Sequence, residues 1–277
     1  MTARAFDPSV VPVLDAATVM LLRDGADGVE VFMLRRNLDA SFARGLYVFP
    51  GGKVDDADRS TEVERICRHR DDAGASEVLG VRSGGLAYWV AAVRECFEEA
   101  GVLLAADAGG KVVSFDDPDV AARFEAARAS VHDGSLRFVD LCAAETLTIT
   151  ADAIEYVSHW ITPVGEKRRF DTRFFVAHAP NGQEPLHDDG ETIESLWVSP
   201  AEALGRQRRG ELRMMPPTIA NLSFLAEHAS ADAALIAAAA LPRPDPVQPK
   251  LRLDADGRVE VVLPDDPDFA DLPEWSA

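Results

Sequence analysis

An α/β fold is what this sequence predicts, and three observations predict it. Apolar runs of strand length alternate with longer segments of helical periodicity. Clusters of Gly, Asp and Pro stand between them, where turns are needed. The composition is that of a globular chain, 277 residues with 47% hydrophobic and 27% charged, long enough to bury one large core.

Each element has its own signal. Residues 16–22 and 30–34 read as strands around Asp24-Gly25-Ala26-Asp27-Gly28, which makes a hairpin. Residues 46–49 form a short apolar strand that stops at Pro50-Gly51-Gly52. The stretch 59–82 is charge-rich and irregular, with a short helix expected near 61–69. Leu86–Ala100 has strong helical periodicity, closed by Gly101 where a left-handed cap is wanted. Pro118–His132 reads as a second helix. Strand signals return at 157–161, 170–178 and 194–198, the last ending at Ser199-Pro200. A short helix starts over 201–204, and 218–241 is Ala-rich and largely helical. Pro242, Pro244, Pro246 and Pro249 then mark an extended linker. Beyond it, Lys250–Leu253 and residues 258–263 flank Asp254-Ala255-Asp256-Gly257, a hairpin signal.

Charge narrows the function. Lys and Arg number 28 against 47 Asp and Glu, a formal net charge of −19. Phosphate backbones and anionic membrane surfaces both call for basic faces, so neither nucleic acid nor membrane is an expected partner. No apolar run reaches the roughly 18 residues of a membrane span, and the N-terminal residues lack the apolar core of a secretory signal. Cys67, Cys96 and Cys142 are too sparse for a disulfide framework or a zinc site. A cytoplasmic location is expected. There is no G-x-S-x-G, no G-x-x-x-x-G-K-[ST] and no His-Glu-x-x-His, so serine-hydrolase, P-loop and zinc-protease readings lose their motifs.

The chemistry concentrates in Arg94-Glu95-Cys96-Phe97-Glu98-Glu99-Ala100-Gly101-Val102. On a helix, Trp89, Val93, Cys96, Phe97 and Ala100 share an apolar face, and Glu95, Glu98 and Glu99 fall opposite them at i, i+3 and i+4. Like charges so spaced cost about 0.2–0.5 kcal/mol per pair. Anions in a last helical turn cost about 0.3–1 kcal/mol each. A hard divalent cation such as Mg²⁺, which takes oxygen ligands, would resolve the conflict. A solvated acidic face with Arg94 paired to Glu98 is the alternative. Upstream, Phe49-Pro50-Gly51-Gly52-Lys53-Val54-Asp55 offers backbone that a ligand can approach closely.

Together these pieces resemble the Nudix box, G-x5-E-x7-R-E-U-x-E-E-x-G-U with U aliphatic. Arg94, Glu95, Glu98, Glu99, Gly101 and Val102 stand where that family has them, and Cys96 replaces an aliphatic residue. Two departures stand out. After Gly52 and five further residues comes Asp58, where the family has Glu, and residues 59–93 separate Asp58 from Arg94 where the family has seven. Leu34-Arg35-Arg36 leading to Gly45-x3-Phe-Pro-Gly-Gly is similar to the run preceding the box in coenzyme A diphosphatases, and an interrupted box is similar to one branch of them. Trp160-Ile161-Thr162-Pro163, residues 169–175 and Trp197-Val198-Ser199-Pro200 look like landmarks of that branch.

The resemblance covers about 14–228. It implies an α/β/α sandwich around a mixed β-sheet within a domain over 1–241, an insertion at 59–93, and a proline linker with terminal hairpin over 242–277. It implies hydrolysis of a nucleoside diphosphate linked to another moiety. Coenzyme A or acyl-coenzyme A comes first, giving 3′,5′-ADP and 4′-phosphopantetheine. ADP-ribose, NADH or a nucleotide sugar, or a non-catalytic nucleotide sensor, are the alternatives. Glu95, Glu98 and Glu99, with a Gly51 or Gly52 carbonyl, would hold Mg²⁺ or Mn²⁺, and Arg94 would orient the carboxylates. Asp58 takes the place of the first acid. A box glutamate, or Glu191 or Glu194 from a later loop, would accept the water's proton. Arg35, Arg36 and Arg44, and the cluster Lys167, Arg168, Arg169 and Arg173, are candidates to grip phosphates. The insertion reads as a lid, a specificity loop or a surface excursion. The family resemblance also admits a homodimer.

Overall fold

The longest strand, β1 (Val13–Gly25), organises the protein in the computed structural model, which describes residues 7, 10–38, 43–188, 190–253, 256 and 258–273. It turns through Ala26-Asp27 into antiparallel β2 (Gly28–Arg36). β3 (Tyr47–Val48) adds to β2, and β4 (Gly51–Lys53) returns to β1, with Gly51 opposite Thr18. Two 3-10 turns, Asp56–Arg59 and Val63–Ile66, and α1 (Asp72–Leu79) lead to α2 (Leu86–Ala100). β5 (Ala105–Ala106), α3 (Pro118–His132), α4 (Phe138–Ala144) and β6 (Thr148–Ile149) follow, β5 pairing with β6. Then come β7 (Ile154–Ile161), β8 (Arg169–His178) and β9 (Thr192–Val198). Helices α5 (Pro200–Arg208), α6 (Pro216–Leu225) and α7 (Ala231–Ala239) precede β10 (Pro246–Val247) and the hairpin of β11 (Lys250–Leu253) and β12 (Val259–Val262).

One eight-stranded sheet results, in the order β10-β7-β8-β1-β2-β3, with β4 also on β1 and β9 also on β2. β1 with β8 and β7 with β10 are parallel and the others antiparallel, so the sheet is mixed. Alternation along β1 divides the core in two. Ala17, Val19 and Leu21 face a layer containing α2, where Trp89 and Phe97 are fully buried. Met20 and Leu22 face Leu222, Leu225, Ala234 and Ala238 from α6 and α7. This is the expected sandwich. On the second face the helices cover the C-terminal half of β1. Leu14, Ala16 and Thr18, nearer its start, floor an open cleft instead.

Several elements differ from expectation. The helix expected near 61–69 is a 3-10 turn, and the regular helix of the insertion is α1, capped by Asp71 accepting from the Gly74 N–H at 2.8 Å and ended by Gly80 at φ 69°. Val63, Ile66, Ala75 and Leu79 sink into the α2 core, and no residue of 59–93 lines the cleft among the described residues, so the part of the insertion before α2 packs as a buttress against that helix. The helical stretch over 218–241 is two helices, because Ser230 accepts from the Ala233 N–H and starts α7 afresh. α4 carries no clear signal in the sequence: it is a seven-residue helix, too short to show a period, that buries Phe138, Val139, Leu141 and Cys142. The prolines do not leave a free tether, since Pro246 and Val247 dock on β7, an edge position where a missing N–H costs little. The expected turn of the last hairpin lies mostly outside the described residues, and its two strands pair in register. Cys67, Cys96 and Cys142 are all free thiols. No helix among the described residues is long and apolar enough to cross a membrane.

Candidate active site

α2 and β4 build the acidic end of the cleft. α2 is buried along most of its length, which fixes the rotation of Arg94, Glu95, Glu98 and Glu99 about its axis. β4 is held to β1 by its ladder and by the Val19 N–H donating to the Pro50 carbonyl at 2.9 Å. The two elements touch through glycine. A Cβ at Gly52 would lie 2.5 Å from the Glu95 carboxyl carbon, and one at Gly51 2.5 Å from the Ala17 carbonyl oxygen. Gly52→Ala is therefore expected to push Glu95 out of place and to lower activity about 10–100-fold, for a stability cost of about 1–3 kcal/mol. Steady-state rates and a urea titration check both; a variant as active as the parent would show that the Glu95 position does not matter.

Arg94 is the hub. Only 7% exposed, it donates Nε to Asp58 Oδ1 at 3.0 Å and Nη2 to Asp58 Oδ2 at 2.9 Å. Nη1 donates to Glu95 Oε1 and Glu98 Oε1, both at 2.9 Å, and Nη2 also to the Lys53 carbonyl at 2.7 Å. Burial alone would lower its proton affinity, but the bonds to Asp58 and the charge of Glu95 overcome this and hold it firmly protonated. Asp58 thus reaches Arg94 despite the insertion. The 3-10 turn aims it there, and its Oδ2 also accepts from the Asp55 N–H at 2.9 Å.

Glu99 is 3% exposed and accepts the Gly51 N–H at 2.9 Å, with Arg36 Nη1 at 3.4 Å. Burial, then the Glu95 charge, raises its proton affinity well above the usual carboxylate range, against the pull of Arg36 and Gly51. Burial also raises that of Glu95, against Arg94, with Glu98 adding to the rise. Glu98 is drawn away by Arg94, with His132 Nδ1 at 3.8 Å on its other oxygen. Arg94 Nη1 thus takes one oxygen each of Glu95 and Glu98, while Glu99 is held by Gly51 and Arg36, and no cluster of three or more His, Cys, Asp or Glu set to hold a metal is found among the described residues.

The helix end itself is stabilised from a distance. Arg128 of α3 donates Nε to the Glu98 carbonyl at 2.8 Å and Nη2 to the Glu99 carbonyl at 2.9 Å. It supplies the cation that the last turn of α2 lacks in its own sequence. Nη2 also reaches the Leu186 carbonyl at 3.2 Å, and the Leu186 N–H donates to the Ala100 carbonyl at 3.0 Å, tying the loop before β9 to the last turn of α2. Nothing local in the sequence signals this, because Arg128 lies on another helix.

The other candidates divide into those that line the cleft and those that do not. Arg36 lines the cleft and its Nη2 reaches Glu191 Oε2 at 3.1 Å, so Arg36, Glu99 and Glu191 meet. Arg35, its neighbour on β2, points the other way by strand alternation. It pairs with Glu194 at 3.2 Å and lies over the Tyr47 ring. Neither Arg35 nor Glu194 lines the cleft, and neither does exposed Arg44. Lys167, Arg168 and Arg169 do, with Arg169 buried and its Nε spent on the Thr162 carbonyl at 3.1 Å. Arg173 does not. It lies on the α2 side with His159, Asp171 and the Tyr88 ring. The cleft has a volume of about 850 Å³ and runs from Gly51, Gly52, Glu95 and Glu99 to apolar walls that include Trp160, Phe170 and Phe174.

A glycine-bearing strand set against an R-E-x-x-E-E helix, on a mixed sheet sandwiched by helices, is a Nudix-type arrangement. A family model described as the NUDT19 Nudix domain matches residues 70–225. The chain belongs to that family. Among similar proteins, the acyl-coenzyme A diphosphatase NUDT19 of Gallus gallus is 29% identical over 234 residues, 73% of this chain and 62% of that one. The protein of the same name from Homo sapiens is 29% identical over 237 residues, 74% and 62%. The chain therefore spans about three fifths of the length of these relatives. A NUDIX hydrolase from Alicyclobacillus acidocaldarius superposes with a TM-score of 0.66 at 28% identity, over 84% of this chain and 100% of that one.

Proposed function

We propose that the protein hydrolyses the diphosphate of coenzyme A or an acyl-coenzyme A, giving 3′,5′-ADP and the 4′-phosphopantetheine part, with Mg²⁺ or Mn²⁺ at the acidic end of the cleft. The observation that carries this reading is a single cavity joining the carboxylates of Glu95 and Glu99 and the β4 backbone to Arg36, Lys167 and Arg168. The names of the two animal relatives support the substrate class. The donors fit a hard cation. Among the described residues, the ion pairs of Asp58, Glu95, Glu98 and Glu99 with guanidiniums go to Arg94 and Arg36, and burial leaves Glu95 and Glu99 short of positive charge. A bound cation would neutralise the diphosphate and acidify the attacking water.

The chain's own groups have distinct tasks in this reading. Glu95 and Glu99, the two that line the cleft, would hold the cation with a Gly51 or Gly52 carbonyl, and Glu98 would join them only by turning toward the cleft. Arg94 orients Glu95, and Asp58 orients Arg94. Arg36 is the donor for a substrate phosphate oxygen; its Nε is buried with no partner among the described residues. Glu191, on the cleft wall beside Arg36, is the proton acceptor for the attacking water. A panel of coenzyme A, acyl-coenzyme A, ADP-ribose, NADH and nucleotide sugars with Mg²⁺ or Mn²⁺, with products identified by mass, tests the proposal. Release of 3′,5′-ADP from coenzyme A or its thioesters is the expected result. Cleavage of ADP-ribose alone would overturn the substrate class, and tight binding of a nucleotide with no turnover would make the protein a sensor.

A further inference from the structure

The C-terminal hairpin takes no part in the acidic end of the cleft, yet Pro249, just before β11, and Val261, on β12, line the same cavity as Glu95 and Glu99. The hairpin is pinned down. Leu251 and Val262 are buried, and Leu263 packs against the second core. Lys250 Nζ donates to the carbonyls of Phe269 and Leu272 at 3.1 and 2.7 Å. Val261 is nonetheless 41% exposed, as is Leu14 on the cleft floor. A fastened ribbon that keeps a branched apolar side chain open to a cavity offers contact surface there.

Register gives the distance between the two ends. Gly51 pairs with Thr18 on one side of β1. On the other side Leu14 pairs with Phe170 and Ala16 with Thr172, Thr172 pairs with Trp160, and Trp160 pairs with Val247. Four strand spacings separate β4 from β10, about 19 Å at roughly 4.8 Å each. The face of β1, β8 and β7 opposite α2 therefore floors the cleft toward the hairpin, and the carboxylates of α2 border it beside β4. Acidic groups stand at one end, Lys167 and Arg168 come from the β7–β8 loop, and Trp160, Phe170, Leu14, Pro249 and Val261 make the rest apolar.

We infer that the hairpin is the apolar end of the substrate site and that Val261, with Pro249 and Leu14, selects a diphosphate carrying a long alkyl arm. The inference rests on the diphosphate reading of the acidic end. Binding of coenzyme A and of decanoyl-coenzyme A, measured by calorimetry in EDTA, tests it on the full chain. The parent binds the decanoyl form at least about tenfold more tightly than coenzyme A. V261D cuts that preference to about twofold while keeping the affinity for coenzyme A and, with metal restored, the kcat on it. V261S, a milder change, falls between. I236D, at a 72% exposed apolar position on α7 away from the cleft, leaves the preference intact. A parent without the preference, or a V261D protein that keeps it, overturns the inference. Decanoyl-coenzyme A bound with the preference but never hydrolysed would leave the hairpin's role standing and remove the proposed reaction. Hydrolysis of both compounds at equal KM, unmoved by V261D, would do the reverse.

Discussion

Glu99→Gln should leave a folded protein that hydrolyses its substrate about 10³-fold more slowly at saturating metal. Glu99 is buried, accepts one backbone N–H from Gly51, and has Arg36 as its nearest cation at 3.4 Å. Its negative charge is disfavoured by burial and by Glu95, so the fold gains little from it. Its use lies in the cation it would hold. Loss of a few kcal/mol of metal-based stabilisation of the transition state, at about 1.4 kcal/mol per tenfold, gives the stated drop. Glutamine has nearly the same shape and leaves stability within about 1 kcal/mol.

The same residue sets a pH dependence with a definite sign. A buried acid whose folded proton affinity exceeds its unfolded one keeps more protons in the folded state, so stability falls as pH rises above the ordinary glutamate value. Glu95 and Glu155, both also raised by burial, act in the same direction. Asp171 and Asp188 are held below the usual range by their hydrogen bonds in spite of burial, and titrate below this window. Metal-free protein should therefore melt at progressively lower temperature from about pH 5 to pH 8. Saturating Mg²⁺ or Mn²⁺ should flatten the slope by favouring the ionised carboxylates, and Glu99→Gln should show a shallower slope and a smaller metal-induced shift. Scanning calorimetry with and without EDTA reads all three; a metal-free Tm that climbs over this range would refute the account.

Much of this was legible in the sequence, for reasons that differ by element. α2 could be read to its boundaries because fifteen residues hold one period and Gly101 closes them, in the left-handed conformation at φ 68°. The central strands could be placed because alternation against a buried layer is strong in 16–22 and 170–178. What stayed hidden depends on contacts distant in sequence. Arg128 caps α2 from another helix, and Pro249 and Val261 reach the cleft only because Pro246 and Val247 pair with β7. Arg35 and Arg36 could not be told apart as a pair in sequence, and only the pleat of β2 sends Arg36 to the cleft and Arg35 away. The three glutamates look equivalent on a helical wheel, but Arg94 bonds Glu95 and Glu98, Gly51 and Arg36 hold Glu99, and only Glu95 and Glu99 line the cleft.

Arg94 is where the second large effect is expected, and it falls on the fold as well as the chemistry. Arg94→Ala removes the cation between Asp58, Glu95 and Glu98 and leaves buried carboxylates unpaired, at a cost of about 3–5 kcal/mol. Part of the population would unfold at 37 °C, so the milder partner change carries the functional test. Asp58→Asn keeps the shape and Arg94's bonds to Glu95, Glu98 and the Lys53 carbonyl, but gives up the charged two-pronged contact. It should cost about 1–3 kcal/mol in urea and reduce kcat about 10–100-fold as Arg94 drifts and Glu95 loses its orientation. Asp58→Glu, the residue the Nudix pattern prefers, separates position from charge. If the 3-10 turn Asp56–Arg59 has compensated for the shorter side chain, the longer one overfills a site only 2% exposed, and stability drops without a gain in rate. If Asp58 were a passive acid left behind by the insertion, both Asp58 variants would match the parent in midpoint and kcat. Arg94→Lys completes the comparison, because an ammonium cannot span Asp58, two glutamates and a carbonyl at once, and it should lie nearer to Ala than to Arg in both measurements.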